Sequence, residues 1–226
     1  MRAQFHLKKI VPFICIIFAH CEHALEPTAL SSSGLMSLRV GNYWRYQAWF
    51  FIEPFTVKAE ITRKVSVNIA GVTYEASAYL IPYPIDTEPP PFEWLYWNGP
   101  DGLYCLGGIS PTDTLFYKAL QFKYPATVGE SWPVIRINYD DYLGKFYFYD
   151  TLAVSLVSKD EPIETPAGKF KCHVYSYRKR PADDVFVKWD YYHYYIPGLG
   201  RVAYTERDTY EQLIKGKVLL LDYRSR

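Results

Sequence analysis

His20-Cys21-Glu22-His23 gathers four residues able to ligate a metal into one tetrapeptide. A stable zinc site needs further ligands at a set spacing. None follows, and the cluster straddles a candidate export cleavage point, so it is read as coincidence. The remaining histidines of the mature region are His173 and His193. Asp190 and His193 lie three apart, which on an extended chain sends them to opposite faces and denies a local acid–base pair. His173 shares a strand face with Lys171, a pattern that reads as solvated surface. The chain holds no Gly-x-Ser-x-Gly elbow and no His-Glu-x-x-His helix motif. Asp140-Asp141 and Asp183-Asp184 read as solvated turns, because calcium would need more oxygen ligands nearby. Gly198 and Gly200 lack the following helix that a phosphate-cradling loop requires. These residues imply no catalytic site, no cofactor and no metal. A hydrolase whose carboxylates converge only in space stays as an alternative, since glycosidases need just two such groups.

Cys105 and Cys172 are a possible disulfide, because an exported protein can oxidise a pair. The bridge requires Cα atoms within about 7 Å; otherwise both are buried thiols.

The elements that must position these groups start beyond an unusual N-terminus. Arg2, Lys8 and Lys9 precede the uncharged run from Ile10 to Ala19. A basic region followed by a short apolar one is the layout of an export signal, and the run is shorter than the roughly 20 residues that span a bilayer. Residues 1–21 are therefore expected to be a signal peptide. Phe18-Ala19-His20-Cys21 also approaches a lipobox, with Cys21 as a possible lipidation site, although His20 stands where a small residue is usual. Residues 22–37 read as a flexible tether and 38–226 as one β domain, with no transmembrane helix in the mature chain. Of 25 basic residues, three lie in the signal, leaving 22 against 24 acidic ones. A near-neutral, scattered charge gives no electrostatic reason to bind nucleic acid.

Twenty-two tyrosines and thirteen phenylalanines suit pleated surfaces. Lys64–Ile69 and Val72–Ile81 flank Ala70-Gly71 as a hairpin, and Glu93–Gly108 turns through Asn98–Gly102 as another. The prolines between Pro82 and Pro91 mark a loop or edge passage. Pro111–Gln121 is the best helix candidate, with Thr112 or Asp113 as its cap. The second half continues as strands, ending in a hairpin through Lys215-Gly216-Lys217. About ten strands with almost no helix predict an all-β, mostly antiparallel protein. Several strands are bulky on both faces, so the single sheet is expected to curve into a half-barrel or open barrel that shelters one face on itself, with at most one or two short helices.

Val-Gly-x-x-Trp occurs twice, at Val40–Trp44 and Val128–Trp132. The pairs between glycine and tryptophan differ, Asn42-Tyr43 against Glu130-Ser131, so the recurrence reads as structural: glycine permits positive φ before a strand whose Trp plugs the core. In order, "LRVGNYWRYQ", "GVTYEA", "GPDGLYCLGG", "YPATVGESW", "ETPAGKFKCHVYSY", "YYIPGLGRVAYTE" and "GKVLLLDYR" resemble a broad group of exported bacterial β-proteins without a settled biochemical role. The resemblance spans most of Leu38–Tyr223. It implies export or lipidation, and by analogy a curved sheet of the lipoprotein-carrier (LolA/LolB-like) kind.

The functional expectation is a non-catalytic component of the bacterial envelope, periplasmic, outer-membrane-associated or extracellular. Its partners would be an apolar small molecule or lipid held in the concave sheet, lined by Trp189, Tyr191 and Tyr195, or an envelope protein. The alternative is a surface module for protein or glycan using Trp94, Tyr96 and Trp97.

Overall fold

A computed structural model describes residues 34–49, 54–80, 92–140, 142–179, 189–208 and 214–225. Cys21, His23, Pro82–Pro91, Asp141, Asp183 and Asp184 lie outside these residues. Twelve antiparallel strands form one sheet that is nearly closed into a barrel, and there is no helix among the described residues. They are β1 Tyr43–Trp49, β2 Phe55–Ile69, β3 Val72–Leu80, β4 Glu93–Gly99, β5 Gly102–Ile109, β6 Thr114–Lys123, β7 Ser131–Asp140, β8 Lys145–Thr165, β9 Gly168–Lys179, β10 Trp189–Ile196, β11 Gly200–Asp208 and β12 Ile214–Arg224. The sheet order is β6-β5-β4-β3-β2-β1-β12-β11-β10-β9-β8-β7. Two six-strand meanders thus join through the β1–β12 ladder, and their free edges, β6 and β7, face each other.

The expected helix at Pro111–Gln121 is instead the turn into β6. Thr114, Phe116 and Lys118 are exposed while Leu115 and Tyr117 are half-buried, a period of two rather than 3.6. The residues that resemble a helix cap make a turn: Ser110 Oγ accepts the backbone N–H groups of Thr112 and Asp113, at 3.3 and 2.9 Å. The expected last turn at Lys215–Lys217 lies within β12, which already begins at Ile214.

The two Val-Gly-x-x-Trp stretches occupy equivalent places, each leading into the first strand of a meander. Gly41 has φ 85° and donates to Ile61 O at 2.9 Å; Gly129 has φ 88° and donates to Leu156 O at 2.8 Å. Ile61 N–H returns to Asn42 O, and Leu156 N–H returns to Glu130 O. Directly after each of these residues the long second strand, β2 or β8, carries a register shift. A bulge bends a strand, and here each bend lets the following hairpin lean across its own meander. Ala167, at the β8–β9 turn, donates to Leu220 O of β12 at 3.1 Å. Lys118 of β6 reaches the Tyr74 hydroxyl of β3 at 3.3 Å.

This bending answers why bulky residues face both ways. On β3 to β5, Ala76, Ala78, Leu95 and Leu106 pack with Val67 into a separate outer core. Tyr79, Tyr96 and Leu103 alternate with them and face the main core. Both faces are therefore buried without helices.

The seam between β6 and β7 is closed by side chains. Trp132 Nε1 donates to Gln121 O at 3.3 Å, and the Tyr175 hydroxyl donates to Lys123 O at 3.0 Å. Further along, Thr112 Oγ1 donates to Gly144 O at 2.7 Å, and Phe146 N–H donates to Asp113 Oδ2 at 2.7 Å. The Phe146 ring lies on Gly108, where a Cβ would stand 2.5 Å from it. These contacts occupy edges that would otherwise be open to pairing.

The expected tether is anchored earlier than Ser37. Leu35 and Met36 are buried. Gly34 O accepts Gly198 N–H, Asn98 Nδ2 donates to Met36 O, and Ser77 Oγ donates to Leu38 O. Residues 34–38 thereby link β3, the end of β4 and the β10–β11 turn, and plug that end of the barrel.

Candidate functional site

The interior face is set by the registers of β9, β10 and β11. Tyr191, His193 and Tyr195 alternate on one face of β10. They stand opposite Tyr177, Tyr175 and His173 of β9, and opposite Glu206, Tyr204 and Arg201 of β11. Strict alternation from Tyr204 would turn Arg201 to the other face. A register shift between Tyr194 and Tyr195 absorbs Val202 as the extra residue and brings Arg201 inward.

The other meander supplies Tyr46, Tyr79, Tyr96 and Phe122. Phe122 bridges the two halves, with ring centroids 4.6 Å from Tyr195, 5.0 Å from Tyr175, 5.5 Å from His193 and 5.6 Å from Tyr177. Tyr79 packs 5.5 Å from Tyr96 and 6.0 Å from Trp44. Trp44 is fully buried and donates to Leu199 O at 3.1 Å. Aromatic pairs at these separations add to area burial through edge-to-face contact.

Arg201 sits among these rings. Its guanidinium carbon lies 5.4 Å from the Tyr46 ring centroid, and the Tyr46 hydroxyl donates to Arg201 O at 2.8 Å. The charge of the guanidinium is felt by both Tyr46 and Tyr79. Burial opposes its charge, and the oxygens of Tyr79 and Tyr46 outweigh that, so its pKa stays above the ordinary value. Burial likewise raises Tyr46, Tyr79, Tyr96, Tyr177 and Tyr195. At neutral pH they keep their protons, and no carboxylate among the described residues pairs with Arg201. On the same face of β11, Glu206 accepts the Tyr204 hydroxyl at 2.5 Å. Arg201 Nε and His193 Nδ1 are buried without a hydrogen-bond partner. His193 is held well below its ordinary pKa by burial and then by Arg201, so it is neutral at pH 7.

Tyr96, Tyr177, His193, Arg201 and Tyr204 all keep some accessible surface. Burial is nonetheless the first cause acting on each of their titrations. These groups are half-buried around the interior of the sheet. Away from the plugged end, near Tyr191, the Arg136 guanidinium grips Asp150 with two hydrogen bonds of 3.0 Å, and Glu206 lies close by.

Of the residues expected to line the concavity, Tyr191 and Tyr195 are on this face; Tyr195 is buried, and Tyr191 stacks on Tyr204 at 6.2 Å. Trp189 opens β10, and its side chain lies outside the described residues. The three residues of the expected aromatic platform separate. Tyr96 enters the interior, Trp97 packs with Tyr74 and Tyr104 beneath Lys118, and Trp94 joins Phe92 and Phe146 beside the seam. Exposed rings gather instead on the β7–β8 hairpin, at Tyr142, Tyr147, Phe148 and Tyr149.

Cys105 and Cys172 are free and buried, so the possible disulfide is not formed and the alternative of two buried thiols holds. They sit in different meanders, and burial pushes their thiols up to about 11 and about 12. His173 is not solvated as expected: it is half-buried, packs 5.6 Å from Tyr124 and has an unpartnered buried Nδ1. Asp140 caps its own turn by accepting Leu143 N–H at 2.8 Å. No metal-ligating cluster forms, and no helix is long and apolar enough to cross a membrane, among the described residues. Sequence reasoning missed Arg201, Tyr46, Tyr79 and Tyr177, because a lone arginine in a strand carries no motif and its face depends on one bulge.

No protein-family profile and no curated protein matches the chain. Two crystal structures are similar to the chain, and the first shows a shared fold. One is a candidate lipoprotein from Parabacteroides distasonis, 13% identical, with a TM-score of 0.52 over 85% of this chain and 99% of that one. The other is a candidate exported protein with YmcC-like fold from Bacteroides fragilis, also 13% identical over the same shares, with a TM-score of 0.48.

Proposed function

We propose that this chain is an exported bacterial envelope protein that shelters an apolar ligand inside its barrel and performs no chemistry on it. The observation that carries the reading is the interior itself. Aromatic rings from both meanders converge in the interior, where half-buried tyrosines stand beside a few placed polar atoms, the lining that ligand sites use. The basic-then-apolar N-terminus supports export, and the fold shared with a candidate lipoprotein fits an envelope setting.

The test is titration of the purified protein with the neutral probe N-phenyl-1-naphthylamine. Saturable binding at one site is expected, with energy transfer from the protein's tryptophans and displacement by dodecanol. Weak, unsaturable enhancement that dodecanol leaves unchanged would refute a ligand space.

A further inference from the structure

We infer that the ligand is an amphiphile with a monoanionic carboxylate head, which docks on the Nε edge of Arg201 while its apolar body runs between β9, β10 and β11. This rests on the proposed apolar site and names its ligand class. Arg201 is the one charged group that the β10–β11 bulge aims among the interior rings at this depth among the described residues. A buried cation without a counter-ion is costly, because removal from water is uncompensated. The guanidinium lies over the Tyr46 ring, yet its Nε remains without a hydrogen-bond partner. A carboxylate meets arginine through two parallel N–H donors, and the free Nε with its neighbouring Nη offers that fork. His193 Nδ1, also unpartnered and close enough to feel Arg201, provides a second unused polar atom at the site.

The charge count selects the head group. One guanidinium neutralises one negative charge, and neutral His193 adds none. A phosphate monoester carries nearly two charges at pH 7 and would leave an uncompensated negative charge among tyrosine rings. The register sets the reach. From Tyr195, opposite Arg201, to Tyr191 is four residues along β10, about 13 Å at the strand rise. The walls between are Tyr177, His193 and Tyr204, and the far end carries the Arg136–Asp150 pair. The plug formed by Leu35 and Met36 is at the Arg201 end, where Met36 and Trp44 pack against Gly200. The ligand therefore enters from the Tyr191 end, head first.

The experiment compares dodecanoate, dodecanol and dodecyl phosphate by displacement of the neutral probe at pH 7.5, on the wild type, Arg201→Met and Arg201→Lys. Wild type should prefer dodecanoate over dodecanol by about ten- to a hundred-fold, the size of a charge-assisted hydrogen bond. Dodecyl phosphate should bind no better than the alcohol. Arg201→Met should lose the preference, and Arg201→Lys should keep part of it. Equal binding of acid and alcohol by wild type overturns the carboxylate assignment and leaves the apolar site standing. A preference for the phosphate overturns the choice of head group. Binding of none of the three overturns both the assignment and the proposed function. The wild-type comparison decides the matter even if a variant fails to fold.

Discussion

His193 gives this fold a dependence on pH that can be worked from its surroundings. The ring packs 4.8 Å from both Tyr177 and Tyr204 and 5.5 Å from Phe122, with Arg201 as the neighbouring charge. Burial and that charge both oppose protonation, so the folded state holds the ring neutral well below its ordinary 6.5. The unfolded chain takes up the proton near that ordinary value. Between the two pKa values the unfolded state carries one more proton, and stability falls as pH falls. From pH 7.5 to 5.5, protonation favours the unfolded chain by about 1.4 kcal/mol. Substitution His193→Gln removes the titration. The assay is urea denaturation of wild type and variant at both pH values. The variant has its own lower stability, so only the change with pH counts. Wild type should lose about 1.4 kcal/mol more than the variant over this interval. His173 and the carboxylates titrate in both proteins and cancel. Equal pH dependence in the two would show that His193 is solvated in the folded state, and would refute the packed interior drawn around it.

Other consequences follow from single contacts. Gly107 has φ 127°, and a Cβ there would stand 1.9 Å from Leu115 O. Gly107→Ala should therefore cost more than about 3 kcal/mol or abolish soluble expression, whereas Gly41→Ala, with nothing within 4 Å, should lose only about 1–2 kcal/mol for its positive φ; equal urea midpoints would refute the close approach of β5 and β6. Ala70 holds φ 50° beside Gly71 at 82° in the β2–β3 turn, so Ala70→Asn should raise stability by about 0.5–1 kcal/mol, read from the thermal midpoint. Leu35 is fully buried, and Leu35→Ala should cost about 2–5 kcal/mol; a change below 0.5 would mean the plug is not part of the folded unit. Neither Cys105 nor Cys172 should react with a thiol reagent until the protein unfolds, since both are buried with raised pKa values. For Cys21, the mass of the N-terminus of exported protein should show acylation if the lipidation reading holds, and a plain cut ends it.

The alternation of aromatic residues determined most of the strands on its own, because side-chain period is a local property. Ala70-Gly71 and Asn98–Gly102 likewise fixed their hairpins, since turn chemistry lies within a few residues. Pro111–Gln121 misled because serine, threonine and aspartate satisfy backbone N–H groups equally at a helix cap and in a turn; the partner strand β5 decided between them. The curvature was foreseeable from bulk on both faces, but its mechanism was not. Bulges after Ile61 and Leu156 bend the long strands and give the outer face of β3 to β5 its own core. A bulge depends on how two distant segments pair, and no local pattern encodes it. The same cause hid the candidate site. Val202, as one extra residue in a ladder, turned Arg201 from one face to the other, and Phe122 met Tyr175, Tyr177, His193 and Tyr195 because the two meanders close on each other. Composition and periodicity settled the all-β class and which rings would need shelter. Where those rings converge, and that Arg201 stands among them, was decided by long-range pairing alone.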